Sequence, residues 1–296
     1  MYRLTQRSQN LWGWLFVTPT MIGLIVLNII PIFQTIWQSF FRVGDFGRGN
    51  VFVGFRNYVS LFGDTQVWQS LANTFAYTFL EVPLSIIIAL VFAVMLNREI
   101  AGRTVFRTIF FLPMVAAPAA IAMVWRWLYN GNFGLINFVL GRIGISPVNW
   151  ISAPEGVIMS IAIVGIWASL GYNIVLFLAG LQEIPKDYFE AAEIDGANLI
   201  HQQVIITVPL LSPTIYFVGV TRTIGAMQMF DLIFMMLDRN NPALPRTQSL
   251  VYLFYRFSFV ENNRGYGSAI VMLLLAIIMG MTILLQYAQK KWVHYG

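Results

Sequence analysis

Residues 183–203 read EIPKDYFEAAEIDGANLIHQQ and form a polar, acidic segment inside a chain that is otherwise strongly apolar. The segment has the composition of a helix that opens after Pro185, and it lies between two apolar runs that are each long enough to cross a bilayer. A polar helix between two spans has to lie at a membrane face, because charged groups are costly in the hydrocarbon core. The segment therefore predicts a membrane protein that meets a soluble partner at this face.

The composition of the whole chain supports this interpretation. Hydrophobic residues make up 58% and charged residues only 10%, against about 25% charged residues in an average soluble domain. The net charge of +5 comes without a basic run or a basic face with interleaved aromatic residues, so we assign it to the flanks of membrane spans and expect no nucleic-acid partner. The absence of cysteine excludes disulfides, thiolate metal ligands and a thiol nucleophile.

Hydropathy over a window of about 19 residues predicts six spans and thus an all-α membrane protein with both termini on one side. The loop between the third and fourth spans is expected to carry a short interfacial helix over residues 135–140. Basic residues are denser on the face that holds the termini, which places both termini and the acidic segment in the cytoplasm. We expect one transmembrane domain over residues 1–296, with spans at residues 12–33, 74–96, 109–128, 157–181, 204–237 and 268–288.

The spacing of small and acidic residues in the acidic segment favours a helix, a turn and a second short helix. Ala191 and Ala192 would let another protein approach closely, and Gly196 would permit the turn. The acidic side chains would suit a basic cleft on a partner. A helix lying on the membrane surface is disfavoured, since such helices carry Lys and Arg on the polar face. The acidic residues are Glu183, Asp187, Glu190, Glu193 and Asp195.

Polar side chains within the spans are candidates for a substrate path, because such groups usually face a cavity or the bundle interior. Trp167, Tyr172 and Asn173 would together offer a sugar aromatic faces and hydrogen bonds, although the two rings are equally well explained as packing residues. Glu81 lies near Pro83 and is interpreted as structural, paired with another span or with freed backbone donors. The path candidates are Trp167, Ser169, Tyr172, Asn173, Arg222, Gln228 and Asp231.

Arg222 has two interpretations. It faces an acidic substrate, or it pairs with a carboxylate. Asp231 follows nine residues later, roughly on the opposite face if both share one helix, so we do not expect it to be the partner. A carboxylate on another helix is favoured, and both interpretations stay open at this point.

Two other classes of function were weighed. An intramembrane enzyme would need a motif such as H-E-x-x-H or G-x-S-x-G, and the two histidines, His201 and His294, lack metal-ligand spacing, so neither catalysis nor a metal site is expected. An ion-coupled secondary transporter of a small polar solute remains the alternative, because Glu81, Arg222 and Asp231 would serve ion coupling. The chain contains no G-x-x-x-x-G-K-[ST] loop, so any ATP site must lie on a partner.

The acidic segment also carries a longer motif. Glu190-Ala191-Ala192, three residues, Gly196, nine residues, Ile206, one residue, Val208 and Pro209 resemble the EAA signature of permease subunits of bacterial ATP-binding-cassette importers. The usual residue before the proline is Leu, so Val208 is a departure. The resemblance extends over nearly the whole chain toward the maltose-type F permeases of the sugar-importer branch. The matching stretches are VGFRNY at 53–58, FRT at 106–108, FLP at 111–113, GLIN at 134–137, AGLQEIP at 179–185 and GYGSA at 265–269, whereas NNP at 240–242 replaces a common GGP.

The resemblance implies a non-catalytic subunit in the bacterial inner membrane that pairs with a second homologous permease. Two copies of a cytoplasmic ABC ATPase would bind ATP and Mg, with no cofactor in this chain, and an extracytoplasmic solute-binding protein would deliver a sugar or oligosaccharide. Residues 186–200 would form a cytoplasmic coupling helix between the fourth and fifth spans. Its ATPase-coupling residues would be Glu190, Ala191, Ala192, Asp195 and Gly196.

A bulky residue at position 196 is expected to leave the protein in the membrane but to uncouple ATP hydrolysis from transport, because the turn would no longer close. The measurement is transport per ATP hydrolysed in reconstituted vesicles. Normal coupling in the variant would overturn this role for Gly196.

Overall fold

The structure, a computed structural model, describes residues 6–43, 50–98 and 101–293, so His294 lies outside the described residues. The predicted all-α membrane fold is confirmed, with one addition: Phe41–Val43 (β1) and Asn50–Phe52 (β2) pair as an antiparallel hairpin. In chain order the helices are α1 (Gln6–Leu24), α2 (Ile30–Gln38), α3 (Arg56–Gly63), α4 (Thr65–Asn97), α5 (Arg103–Val115), α6 (Pro118–Leu128), α7 (Leu135–Arg142), α8 (Val157–Glu183), α9 (Asp187–Ile194), α10 (Leu199–Gln202), α11 (Val208–Leu210), α12 (Ser212–Met227), α13 (Asp231–Met236), α14 (Leu250–Tyr255) and α15 (Arg264–Trp292).

The number of membrane helices depends on how two bent pairs are counted. Four helices in the described part of the chain are long and apolar enough to cross a membrane, and each bent pair raises that number by one, up to six. One transmembrane domain over residues 1–296 stays a prediction, and contacts divide the chain into two compact units. The first comprises Met1–Asp64 and Phe254–Leu273, and the second comprises Thr65–Leu253 and Leu274–Gly296.

The first unit is organised around the hairpin. A π-helical turn at Ile25–Ile29 joins α1 to α2, and their apolar stretch covers the predicted span 12–33. The Asn57 amide nitrogen on α3 donates to the carbonyls of Ser39 at 2.8 Å and Phe41 at 2.9 Å, which fixes α3 to the start of the hairpin. A Cβ on Gly265 would lie 1.7 Å from the Phe41 carbonyl oxygen, so the start of α15 approaches the hairpin at a distance that only glycine allows.

The second unit is built on α4 and α8, which pack against each other where spans 74–96 and 157–181 were predicted. Their contact is close because glycines of α8 face bulky neighbours: a Cβ on Gly165 would lie 2.1 Å from the Tyr77 hydroxyl oxygen. Two apolar clusters fill this interface, and Ile86 of α4 packs against both. Burying apolar surface in this way contributes about 25 cal/mol per Å² in water, whereas inside a bilayer close packing itself holds the helices together.

The third span is broken. The run predicted as the third span, over 109–128, comprises the end of α5 and all of α6, which meet at an angle of 107°. Ala116 and Ala117 are extended, with ψ of 142° and 137°, since the ring of Pro118 disfavours helical geometry in the residue before it. The chain then forms α7 where a short helix over 135–140 was expected.

The fifth span also differs from the predicted run over 204–237. A π-helical turn at Gln203–Thr207 leads through α11 to a bend of 68°, after which α12 ends at Met227 and α13 starts anew. Pro213 has no amide hydrogen to donate to the preceding turn, and the Ser212 hydroxyl donates to the Pro209 carbonyl at 2.6 Å. The break thus follows from the Ser-Pro sequence. The last span was predicted over 268–288, within α15.

We expect Gly171→Ala to destabilise the second unit. A Cβ there would lie 2.6 Å from the Phe110 carbonyl oxygen and 3.2 Å from the Phe111 Cα, and backbone atoms of α5 cannot move aside as a flexible side chain does. Overpacking of this kind costs about 1–3 kcal/mol. The measurement is the unfolding temperature of the detergent-solubilised protein. Gly280→Ala is the matched control, since nothing lies within 4 Å of its added Cβ, and equal unfolding temperatures for the two variants would contradict the expectation.

Candidate functional site

A buried ion pair joins three helices of the second unit. Glu81 on α4 is 0% exposed, and its Oε1 accepts hydrogen bonds from the Arg222 guanidinium on α12 and from the Ser169 hydroxyl on α8, the latter at 3.2 Å. A buried carboxylate needs such partners, because an isolated charge in a medium of low polarity is strongly unfavourable. Arg222 therefore has the partner on another helix that the sequence favoured.

Asp231 is not that partner, and the reason differs from the one derived from the sequence. The sequence analysis placed Arg222 and Asp231 on one helix, which is wrong, because α12 ends at Met227 and Asp231 begins α13. Glu81 was interpreted as structural and paired, and it is paired with α12 and α8. Its second oxygen, Oε2, has no hydrogen-bond partner among the described residues.

A cavity of about 410 Å³ lies beside the ion pair. The break between α5 and α6 forms one wall, and the end of α12 with the start of α13 forms another. Five of the predicted path residues line it together: Ser169, Tyr172, Arg222, Gln228 and Asp231. The other lining residues are Tyr77, Pro113, Met114, Ala116, Pro118, Ile121, Gly165, Ala168, Gly225, Ala226, Met229, Phe230 and Leu232.

Two predicted path residues do not line this cavity. Trp167 packs edge-on against Trp125 with ring centroids 5.6 Å apart, and Asn173 is 0% exposed with neither amide atom hydrogen-bonded within the described chain. Residues five positions apart on a helix point about 140° away from each other, so Trp167 and Tyr172 cannot share one surface. The sugar surface expected from Trp167, Tyr172 and Asn173 is therefore not formed.

The sequence analysis missed two aromatic residues of the cavity. Tyr77 precedes Glu81 by one helical turn and therefore lies on the same face of α4, a spacing that was available as a signal. Phe230 lies in the break between α12 and α13 and stacks on Phe234 with ring centroids 5.1 Å apart. No sequence signal identified Phe230, because the break itself was not predicted.

The acidic segment has the predicted order of helix, turn and short helix. A continuous helix over 186–200 is absent, because α9 ends at Ile194 and Gly196 adopts a left-handed φ of 78°. The Ala197 amide donates to the Ala192 carbonyl at 2.9 Å and the Gly196 amide donates to the Glu193 carbonyl at 3.0 Å, which closes the end of α9. This left-handed closure is the geometry for which glycine is favoured.

The surface of the acidic segment is open to a partner. Glu190, Ala191, Asp195 and Gly196 are exposed, and Ala192 is half-buried. Large apolar side chains project among the acidic ones, with Ile194 87% exposed. A cleft of about 480 Å³ lies on this segment and includes Ile206 of the longer motif. Its lining is Ala192, Asp195, Gly196, Ala197, Asn198, His201, Gln202, Ile205 and Ile206.

The described chain thus combines broken apolar helices with an exposed acidic segment. The family described as "Binding-protein-dependent transport system inner membrane component" matches residues 81–294, and the chain belongs to this family. The chain is accordingly a permease subunit and an inner membrane component of a transport system. An ion-coupled secondary transporter is not favoured.

Individual relatives agree with this assignment. The chain is 35% identical over 281 residues to the trehalose/maltose transport system permease protein MalF of Thermococcus litoralis, which covers 95% of this chain and 94% of that protein. It is 34% identical over 285 residues to the sn-glycerol-3-phosphate transport system permease protein UgpA of Rhizobium meliloti, covering 96% of each. A chain of a bacterial alginate ABC transporter, solved in complex with an alginate pentasaccharide-bound periplasmic protein, shares the fold with a TM-score of 0.86 at 20% identity over 100% of both chains.

We expect Asn198→Ala to loosen α10. The Asn198 side-chain oxygen accepts a hydrogen bond from the His201 amide at 2.9 Å and caps a helix of only 4 residues. Loss of such a cap costs about 0.5–2 kcal/mol, so amide hydrogen exchange in α10 should become about tenfold faster. Hydrogen exchange followed by mass spectrometry measures this. Asn198→Ser keeps a capping oxygen and should exchange like the natural chain, and unchanged exchange in Asn198→Ala would refute the capping role.

Proposed function

We propose that this chain forms one half of a saccharide path in an ATP-driven importer. A second homologous permease supplies the other half, two copies of a cytoplasmic ABC ATPase supply the energy, and an extracytoplasmic solute-binding protein delivers the substrate. The observation that carries the proposal is the run of consecutive short helices, bent by 68° before α12, from the acidic segment to the cavity. From Asn198 onward, α10, the π-helical turn, α11 and α12 follow without a loop, and α12 carries Arg222 to the cavity wall.

The acidic segment is the proposed ATPase-coupling site. Glu190 offers charge to a basic cleft, Ala191 and Ala192 permit close approach, and Asp195 with Gly196 forms the turn behind them. Ile194 adds apolar area at the centre of this surface, where interfaces gain most of their affinity. ATP and Mg bind to the ATPase subunits, and this chain holds no cofactor of its own.

Transport then follows from two states of the permease pair. Closure of the ATPase subunits on nucleotide moves the acidic segment, and α10 to α12 carry that movement to the cavity. Because the segment contacts the ATPases differently in the two states, nucleotide binding shifts the balance between them. Both termini and the acidic segment lie in the cytoplasm in this proposal.

The cavity lining suits a saccharide. Tyr172, Gln228 and Asp231 offer hydrogen bonds to hydroxyl groups, and Tyr77 and Phe230 offer aromatic rings. Ligand sites typically combine an apolar lining with a few placed polar groups in this way. The names of the relatives, which include trehalose and maltose, support the same substrate class.

The proposal is tested by purification and uptake. The tagged chain should copurify with an ATPase subunit, and uptake should collapse when ATP is depleted but survive an uncoupler that leaves ATP intact. Glu190→Ala should lower uptake at least tenfold. The matched control is Glu155→Ala. Glu155 is exposed and lies just before the start of α8, whereas Glu190 follows its end, and the 27 residues of α8 span about 40 Å.

The opposite pattern would contradict the proposal. Uptake that survives ATP depletion and stops with the uncoupler would assign the chain to ion-coupled transport. Equal uptake by Glu190→Ala and Glu155→Ala would remove the coupling role from the acidic segment while leaving the importer assignment in place.

A further inference from the structure

The cavity beside the ion pair is lined by an arginine whose positive charge is balanced by a buried carboxylate. Two of its lining residues are charged, Arg222 and Asp231. Arg222 is committed to Glu81, which lies behind the lining and is 0% exposed, whereas the Arg222 side chain is 22% exposed toward the cavity. The charge of Arg222 is therefore balanced from inside the protein, and Asp231 leaves the described lining with a net negative charge.

Releasing Arg222 to bind an anion would be strongly unfavourable. Glu81, which is 0% exposed, would keep only the Ser169 hydroxyl as a partner for Oε1, and its Oε2 already lacks a hydrogen bond in the described chain. An uncompensated buried carboxylate costs far more than an exposed arginine gains from a substrate carboxylate. The ion pair thus neutralises the charge of the arginine that an acidic substrate would require.

The other polar groups of the lining point to the same class of substrate. Tyr172 and Gln228 are neutral and can both donate and accept hydrogen bonds, as sugar hydroxyls require, whereas the Ser169 hydroxyl donates to Glu81. Asp231 is exposed in the first turn of α13 and accepts hydrogen bonds from hydroxyl groups while repelling carboxylates and phosphates. Discrimination of this kind relies on a repulsive element as well as on attractive ones.

We propose that Glu81 is a specificity-determining residue: by holding Arg222 it makes this permease a path for neutral saccharides and a barrier to saccharides that carry a carboxylate or phosphate. The proposal rests on the saccharide importer function proposed above. Glu81 acts through Arg222 and touches no substrate, so its effect is on the choice between substrates.

The test compares neutral oligosaccharides with their uronic-acid counterparts in proteoliposomes that contain the complete transporter. Each probe is supplied on the cognate binding protein at a concentration that direct binding measurements show to be saturating, so that delivery is equal. The wild-type permease should import the neutral member of each pair at least about tenfold faster, a difference of about 1.4 kcal/mol. In Glu81→Gln, where Arg222 is unpaired, the ratio should fall to about threefold or less.

The double variant Glu81→Gln/Arg222→Gln is the matched control, because it removes both charges and keeps a polar side chain at each position. It should restore the neutral preference of the wild type, which a purely structural role for Glu81 does not predict. If Glu81→Gln fails to assemble with its partners, Asp231→Asn decides, since it removes an exposed charge and should raise import of the acidic probe about threefold.

Three results separate the possible failures. Equal or faster import of the acidic probe by the wild type would overturn the charge selection. An unchanged ratio in assembled Glu81→Gln, or in Asp231→Asn where that variant decides, would do the same. A wild-type transporter that assembles and hydrolyses ATP but imports neither member of any pair would instead overturn the saccharide importer function itself.

Discussion

The contact between the Glu81 carboxylate and the Arg222 guanidinium, completed by the Ser169 hydroxyl, determines how α4, α8 and α12 can be arranged. Because an isolated charge is costly to bury, a rearrangement of these helices has to keep the contact or give the Glu81 carboxylate another partner. Apolar clusters lie on both sides of it along α4, one including Tyr77 and the other including Ala89. The ion pair therefore acts as a fixed point between two stretches of apolar packing. Those stretches are held by van der Waals contacts, which tolerate small shifts.

The cavity depends on this fixed point together with two interruptions of helical structure. Pro118 turns the third span away from a straight course, and the end of α12 at Met227 releases Gln228 to Phe230 from the helix. Irregular backbone at membrane depth is tolerated where it lines a cavity or is buried in protein, because lipid offers it no hydrogen bonds. Three physical requirements thus meet at one place: a compensated charge, a freed backbone and a space that a polar substrate can occupy.

The sequence was sufficient for the class of fold and for the order of the acidic segment, because hydropathy and the small residues before Gly196 are local signals. It failed at Pro118, where a hydropathy window averages over the break, and at Trp167, where the direction of a side chain on α8 decides its role. The sequence predicted that Arg222 has a partner on another helix but could not identify it firmly as Glu81. The two are 141 residues apart, and only the packing of α4 against α12 brings them together.

The π-helical turn at Gln203–Thr207 has a mechanical consequence. Such a turn holds one residue more than an α-helical turn, and it lies between the acidic segment and the 68° bend before α12. If that extra residue is absorbed into regular helix, everything beyond it rotates by about 100° and advances by about 1.5 Å, with hydrogen bonds exchanged one at a time. The π-helical turn would thus convert a small displacement along the helix axis into a rotation of the residues that follow it, without a hinge loop.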